Sequence, residues 1–211
     1  MSESLPRVYL ARHGETAWTL SRQHTGRTDI PLTARGEANA RSLGERLKDE
    51  TFELVFVSPL GRARRTCELA GFGARARPEA DLLEWDYGAY EGRTTAEIRA
   101  ERPGWYLFRD GCPGGESPQQ IAARADRVAH RLRTEQGNVL VFSSRHFMLA
   151  LAVRWIGVET MSIAESLTLS TSSLSALGYK DSLSQPAIQL WNETHYLLAS
   201  TDNSAPTEGP R

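Results

Sequence analysis

Three short apolar segments, each followed by a segment with helical periodicity, restrict the fold of this chain more than any other feature. They span residues 7–11, 54–57 and 139–142 and contain mainly Val, Leu, Phe and Tyr. A run that is apolar on both faces is typical of an interior strand in a parallel sheet. Repeated strand–helix units place helices on both faces of such a sheet. We therefore predict an α/β fold, a three-layer α/β/α sandwich with a mainly parallel central sheet.

The remaining elements follow from caps, periodicity and turn residues. Thr33 and Ser117 are good helix N-caps, and Ser117 forms a capping box with Gln120. Helices are predicted at 33–49, 62–70, 95–101, 117–135 and 146–156, and edge strands at 167–179 and 188–192. Residues 21–33 should be a loop. Residues 73–116 hold many Gly, Trp and Tyr residues, which predicts a small inserted lobe, partly irregular and partly helical.

Length, charge and cysteine content narrow the class of protein. The 211 residues suit one domain over residues 1–199, and the small polar residues at 200–211 predict a disordered tail. A formal net charge of −1 gives no reason to expect nucleic acid or an acidic membrane as a partner. No segment approaches the roughly 18 apolar residues of a membrane span. Two cysteines fit a reducing compartment, so we expect a soluble cytoplasmic protein.

Candidate site residues stand where the three apolar segments end, because open α/β sheets bind ligands beyond the carboxyl ends of their strands. Arg12 and His13 follow the first segment. A neutral imidazole can attack phosphorus, and a guanidinium can hold phosphate oxygens in pairs. Gly14 would allow backbone N–H groups to approach an anion, and Arg62 arrives from the second strand end. An isolated Arg–His pair is more often an ordinary loop pair, so a phosphate site depends on the surrounding residues.

Those surroundings resemble a known family. The segment Leu-Ala-Arg-His-Gly-Glu-Thr at 10–16, followed by Trp18, resembles the nucleophile motif of the histidine phosphatase (phosphoglycerate mutase-like) superfamily. Further blocks follow in the family's order, namely Gln-His-Thr-Gly at 23–26, Asp-Ile-Pro-Leu-Thr at 29–33, Ser-Pro-Leu-Gly-Arg-Ala at 58–63, Glu-Trp at 84–85 and Gly-Glu-Ser at 115–117. The resemblance is strongest to the sugar-phosphatase branch that is similar to sedoheptulose-1,7-bisphosphatase.

This resemblance implies a phosphatase that hydrolyses a small phosphate ester, such as a sugar phosphate or a similar metabolite, without a metal or cofactor. His13 would form a phosphohistidine intermediate, while Arg12 and Arg62 would hold the phosphate. Glu84 would protonate the leaving alcohol and then activate water. A phosphoglycerate mutase-type phosphotransferase is the nearest alternative, but the segment between residues 84 and 115 is short for the cap of such mutases.

The resemblance also implies substrate contacts, with two departures from the family pattern. One is Leu149, which stands where the sugar-bisphosphatase branch is expected to have an arginine for the distal phosphate, and the other follows the third strand. Thr25 and Gly26 would contact substrate through a hydroxyl and the backbone, and Tyr87 is a candidate for the substrate wall, with core packing an equal alternative. The family ordinarily has His-Gly directly after the third strand, where this chain has Ser144 and Arg145.

Three interpretations of this departure stay open. Ser144 and Arg145 would supply a donor and a charge in place of the imidazole, with Ser144 contacting substrate. Alternatively His146 would turn into the site, although the strand-to-helix geometry favours another direction. In the third case the chain would be a catalytically impaired protein that binds a phosphorylated metabolite.

Overall fold

The central element of the fold is a six-stranded sheet. In the computed structural model, which describes residues 5–197, the strands are β1 (Val8–Arg12), β2 (Leu54–Val57), β3 (Ala76–Pro78), β4 (Val139–Ser143), β5 (Leu174–Tyr179) and β6 (Pro186–Glu193). Their order across the sheet is β3-β2-β4-β1-β5-β6. The first four strands in that order are parallel, whereas β5 and β6 are antiparallel to their neighbours. This mixed, mostly parallel sheet confirms the predicted α/β class.

Seven α-helices connect and cover these strands. They are α1 (Ala17–Ser21), α2 (Ala34–Leu47), α3 (Gly61–Leu69), α4 (Thr95–Glu101), α5 (Leu107–Asp110), α6 (Pro118–Thr134) and α7 (Arg145–Trp155) within residues 5–197. The predicted caps are confirmed: Thr33 accepts from the Gly36 N–H, and Ser117 forms its capping box with Gln120. Local sequence therefore determines where the long helices begin.

The sheet separates two apolar cores. Along β1, Val8 and Leu10 pack into one core, and Tyr9 and Ala11 pack into the other. The first core also holds residues of α6 and α7, and the second holds residues of α2 and α3. Because successive side chains of a strand point to opposite faces, this alternation means that helices cover both faces of β1.

Several short elements differ from the sequence prediction. The strand predicted at 167–179 begins only at Leu174, and it lies inside the sheet rather than at its edge. The second edge is β3, which belongs to the segment predicted to be an inserted lobe. Helices α1 and α5 were not predicted, because four or five residues carry too little periodicity. The tail predicted at 200–211 lies outside the described residues.

The parallel strands bring their carboxyl ends to one edge of the sheet. Arg12 is paired with Ser143 in the β1–β4 register, and Val57 with Phe142 in the β2–β4 register. The segments that follow β1, β2 and β4 therefore leave the sheet side by side. No helix among residues 5–197 has the length and apolar character that a membrane crossing requires.

Candidate active site

A cavity of about 920 Å³ opens beyond the carboxyl ends of β1 and β4. Five of the eight predicted site residues line it, namely Arg12, His13, Thr25, Glu84 and Tyr87. Arg145 and His146, from the first turn of α7, line it too. The other three predicted residues, Arg62, Gly26 and Ser144, are not part of the wall.

His13 is held by backbone and ring contacts. Its N–H donates to the Ser143 carbonyl at 3.0 Å, and its own carbonyl accepts from the Ser172 N–H at 3.1 Å. The ring Nδ1 lies 2.8 Å from the Gly14 carbonyl oxygen. A carbonyl can only accept, so Nδ1 carries the proton and, in the neutral ring, Nε2 carries the lone pair.

The surroundings of His13 keep its ring neutral. Burial lowers the pKa of His13 well below its usual range, and the charges of Arg62 and Arg12 lower it further. The hydrogen bond to Gly14 acts in the opposite direction but is the smallest of these effects. His13 is only 3% exposed. At neutral pH it is therefore a neutral imidazole with its one proton on Nδ1, which is the state that a nucleophile requires.

Arg12 contributes a guanidinium that is only partly satisfied. Its Nη1 donates to the Leu169 carbonyl at 2.5 Å, while Nε is buried without a partner in the described chain. Burial, followed by the charge of Arg145, lowers the pKa of Arg12 to about 10. Arg12 therefore stays charged at neutral pH, with a donor left over for an anion.

Arg62 supports the site from beneath the cavity wall. Its Nη2 donates to the carbonyls of Thr25 and Gly26, at 2.8 and 2.9 Å, and Nη1 donates to the Thr28 carbonyl at 3.0 Å. Within residues 5–197 its Nε is buried and has no partner. The side chain is 1% exposed. Arg62 thus holds the loop at residues 25–28 in place. The sequence predicted that Arg62 binds phosphate directly, and in this geometry only its Nε is left without a protein partner.

Gly26 is packed too tightly to contact a substrate. Its N–H donates to both carboxylate oxygens of Glu91, at 2.8 and 3.0 Å, and its carbonyl accepts from Arg62. A Cβ at this position would lie 2.5 Å from Glu91 Oε2 and 2.7 Å from the Trp85 carbonyl oxygen. The geometry therefore gives Gly26 a packing role, while its neighbour Thr25 reaches the cavity.

Glu84 binds the N-terminus of α7. Its Oε1 accepts from the N–H groups of Trp85 and Phe147, at 2.8 and 2.9 Å. Its Oε2 accepts from the His146 N–H at 3.1 Å. Two of these donors belong to the first turn of a helix, whose N–H groups have no partner within the helix. The carboxylate is 3% exposed, so this helix end fixes it in the cavity wall.

The segment after β4 corrects two sequence-based expectations. Ser144, the N-cap of α7, is fully buried, does not line the cavity, and its Oγ has no partner in the described chain. His146 does line the cavity, contrary to the expected direction, and its Nδ1 lies 2.5 Å from the Tyr87 hydroxyl. The first turn of α7 thus presents Arg145 and His146 to the cavity, while Ser144 before it is buried.

Further wall residues come from His24, from helix α1, which the sequence did not reveal, and from helix α4, which it predicted at 95–101. His24 stacks near Tyr87 with ring centroids 4.7 Å apart, and burial lowers the pKa of His24 to about 4. Residues of α1 and α4 or their flanks complete the wall, including Trp18, Leu20, Arg22, Thr95 and Arg99. The capping box at Thr94 was the one local signal for the position of α4.

The described residues offer no metal centre. Among residues 5–197, no three His, Cys, Asp or Glu side chains converge in a way that could hold a metal ion. The cavity wall carries arginines, imidazoles and hydroxyl groups, which are binding groups for an anion.

Comparison with known proteins shows the family of this chain. The sequence profile of the histidine phosphatase superfamily (branch 1) matches residues 8–194. An acid phosphatase of Mycobacterium tuberculosis is 37% identical over 186 residues, which cover 86% of this chain and 91% of the relative. The sedoheptulose 1,7-bisphosphatase of Saccharomyces cerevisiae is 34% identical over 200 residues, covering 79% and 73%. A solved structure of a Mycobacterium tuberculosis open reading frame superposes with a TM-score of 0.85 at 34% identity, covering 90% of this chain and 98% of that one. The chain belongs to the histidine phosphatase superfamily, branch 1.

Proposed function

We propose that this chain is a phosphoric monoester hydrolase that works through a phosphohistidine on His13. One observation carries the proposal. His13 is a neutral, buried imidazole whose Nδ1–H is committed to the Gly14 carbonyl, so that Nε2 offers its lone pair in a cavity lined by Arg12. Family membership supports the same assignment.

In the first step, His13 Nε2 forms a bond to phosphorus while the bond from phosphorus to the alcohol oxygen breaks. Glu84, in its acid form, gives its proton to that oxygen. Arg12 neutralises the phosphate oxygens, because phosphoryl transfer depends mainly on positioning and electrostatic stabilisation. In the second step, water attacks phosphorus, the N–P bond breaks and Glu84 takes the proton of the water. Inorganic phosphate leaves and the imidazole is again neutral.

The position of Glu84 supports its role in this scheme. The carboxyl group lines the cavity, and in the described chain Oε2 accepts a single hydrogen bond, which leaves it room to exchange a proton. The N–H groups of His146 and Phe147 hold the group in one orientation. A general acid has to lie within hydrogen-bond reach of the oxygen that it protonates, and a fixed rotamer makes that reach reproducible.

The proposed substrate is a small phosphorylated metabolite such as a sugar phosphate. A volume of about 920 Å³ lies within the usual range for small-molecule sites, roughly 300–1,000 Å³. The wall away from His13 holds Arg22 and Arg99 among hydroxyl-bearing residues, a composition suited to a polar ester. The relatives named acid phosphatase and sedoheptulose 1,7-bisphosphatase support this substrate class.

The test is a phosphate-release assay with p-nitrophenyl phosphate and a panel of sugar phosphates, run on the natural chain and on three variants. We expect His13→Ala to abolish turnover and Glu84→Gln to reduce kcat about 10²- to 10⁴-fold. His195→Ala is the matched control, because that side chain is 74% exposed, and we expect no loss. Rapid quenching with labelled substrate should trap an acid-labile phosphoenzyme in the natural chain and none in His13→Ala.

Turnover by His13→Ala at the natural rate would overturn the mechanism. Binding of phosphate esters without any turnover would instead identify a non-catalytic binding protein. The panel includes 3-phosphoglycerate, since isomerisation without phosphate release would show a phosphotransferase rather than a hydrolase.

A further inference from the structure

We propose that Arg145 is a second phosphate-binding guanidinium of this cavity beside Arg12, and that it replaces the imidazole that the family pattern places at Ser144. The inference rests on the proposed function and deepens it. Arg145 is the first residue of α7 and lines the same cavity as Arg12 and His13.

The free protein holds Arg145 in an electrostatically unfavourable place. The N-terminus of a helix carries a partial positive charge, and cations there are disfavoured. Arg145 also acts repulsively on Arg12, a buried group, and lowers its pKa. Two like charges in one cavity wall, one of them at a helix N-terminus, are an arrangement that an anion would relieve. This arrangement therefore indicates an anionic ligand between the two guanidiniums.

Hydrogen bonding leads to the same ligand. The Nε atoms of Arg12 and Arg145 are both buried, and neither has a partner among residues 5–197. Buried donors without acceptors destabilise a protein, so such groups are expected to meet an acceptor in the functional state. A phosphate group offers several acceptor oxygens and matches the fork geometry of a guanidinium.

The local charge balance suits a phosphate monoester. The positive charges of Arg145 and Arg62 both lower the pKa of Arg12. The imidazoles of His13 and His146 are neutral, since burial lowers the pKa of each well below its usual range. Arg12 and Arg145 both line the cavity, and their two positive charges match the two negative charges of a phosphate monoester.

The neighbours of Arg145 in the sequence do not supply a positive charge to the cavity. Ser144 faces the protein interior and does not line the cavity. His146 directs its Nδ1 to the Tyr87 hydroxyl, and its neutral ring supplies no positive charge. Arg145 is thus the residue of this segment that brings a cation to the cavity.

The experiment compares Arg145→Ala, Arg145→Lys and the double variant Ser144→His/Arg145→Gly with the natural chain. Arg41→Ala is the matched control, because Arg41 is exposed on α2 and pairs with Glu37 there. The measurements are kcat and KM for p-nitrophenyl phosphate, the inhibition constant of inorganic phosphate, and the thermal midpoint with and without phosphate.

We expect Arg145→Ala to lower kcat/KM about 10²- to 10³-fold, as for the loss of one preorganised donor, and to weaken inhibition by phosphate. Arg145→Lys should recover part of the loss, because lysine keeps the charge but not the fork. The double variant should recover activity relative to Arg145→Ala by restoring an imidazole. Without phosphate, Arg145→Ala should melt no lower than the natural chain, and the stabilisation by added phosphate should shrink.

Unchanged or increased kcat/KM and unchanged phosphate inhibition in Arg145→Ala would overturn the proposal. A lower melting midpoint with full phosphate stabilisation would also overturn it, because that pattern shows a purely structural role. Loss of activity in His13→Ala alongside either result would leave the proposed function intact.

Discussion

Three buried neutral imidazoles make the stability of this protein sensitive to acid. His13, His24 and His146 all have pKa values below the usual range, and burial is the largest cause for each. In the unfolded chain these rings take up protons near pH 6.5, whereas the folded chain resists protonation. The unfolded state therefore binds more protons below that pH. Stability is fully present above pH 6.5 and is lost as the pH falls.

The size of the loss follows from the proton difference. Each proton taken up only by the unfolded chain changes the free energy of unfolding by about 1.4 kcal/mol per pH unit. For His24, with a folded pKa of about 4, this amounts to roughly 2 kcal/mol between pH 7 and pH 5. His13 and His146, whose pKa values also lie below the usual range, act in the same direction, and roughly 2 kcal/mol is already a substantial part of the 5–15 kcal/mol that stabilises a typical domain.

The measurement is urea unfolding at several pH values between 5 and 8, followed by circular dichroism. We expect the free energy of unfolding to fall steeply below pH 6.5. His24→Gln, which keeps a polar group near the Thr95 hydroxyl but cannot titrate, should flatten this fall by about one proton. The reasoning would be refuted if, between pH 6.5 and 5, the free energy of unfolding of the natural chain fell by less than the uptake of one proton predicts, about 1.4 kcal/mol per pH unit.

Two further substitutions test the supports of the site. Gly26→Ala places a methyl group against the Glu91 carboxylate and the Trp85 carbonyl, so we expect a loss of about 1–3 kcal/mol in thermal unfolding and reduced activity; unchanged values would contradict the packing argument. Arg124→Met removes the cationic partner of Glu116, bonded at 2.7 Å, and leaves a half-buried carboxylate without its ion pair, so urea unfolding should show a loss of about 1–3 kcal/mol.

The position of the site could be predicted from the sequence because it depends on long-range order that apolar patterns encode. The runs at 54–57 and 139–142 are apolar on both faces, which only interior strands tolerate. The carboxyl ends of parallel strands lie at one edge of the sheet, where ligands bind. This brings Arg12, His13 and the segment at 143–146 together. Of these residues, Arg12, His13, Arg145 and His146 line the cavity.

Helix α1 in the outer wall and strand β3 at the edge of the sheet could not be predicted, because short elements take their shape from tertiary contacts. Helix α1 has five residues, and its capping box at Thr16 and Thr19 is a weak signal without a following periodic segment. Strand β3 is a three-residue segment that becomes a strand by pairing with β2. Its sequence, Ala-Arg-Pro, has little strand propensity of its own.

The direction of side chains after β4 shows a second limit of sequence comparison. A motif match shows which position of this chain corresponds to a family residue. It does not show how a substitution at that position changes the contacts of the neighbouring side chains. With serine at 144, the small side chain packs inside, and the larger Arg145 and His146 face the cavity. The family motif aligns Ser144 with the imidazole. In the structure, the next residue, Arg145, is the one that lines the cavity.

Glu84 and Arg145 share one helix end, which joins the acid and the phosphate-binding charge into one unit. The N–H groups of His146 and Phe147 hold the carboxyl group of Glu84, and Arg145 begins the same turn. A helix N-terminus favours a negative charge. When Glu84 gives its proton to the leaving alcohol in the proposed mechanism, the carboxylate forms where the helix stabilises it most. The guanidinium is meanwhile disfavoured at this end until phosphate binds. The helix end therefore favours the products of both events, phosphate bound and proton transferred.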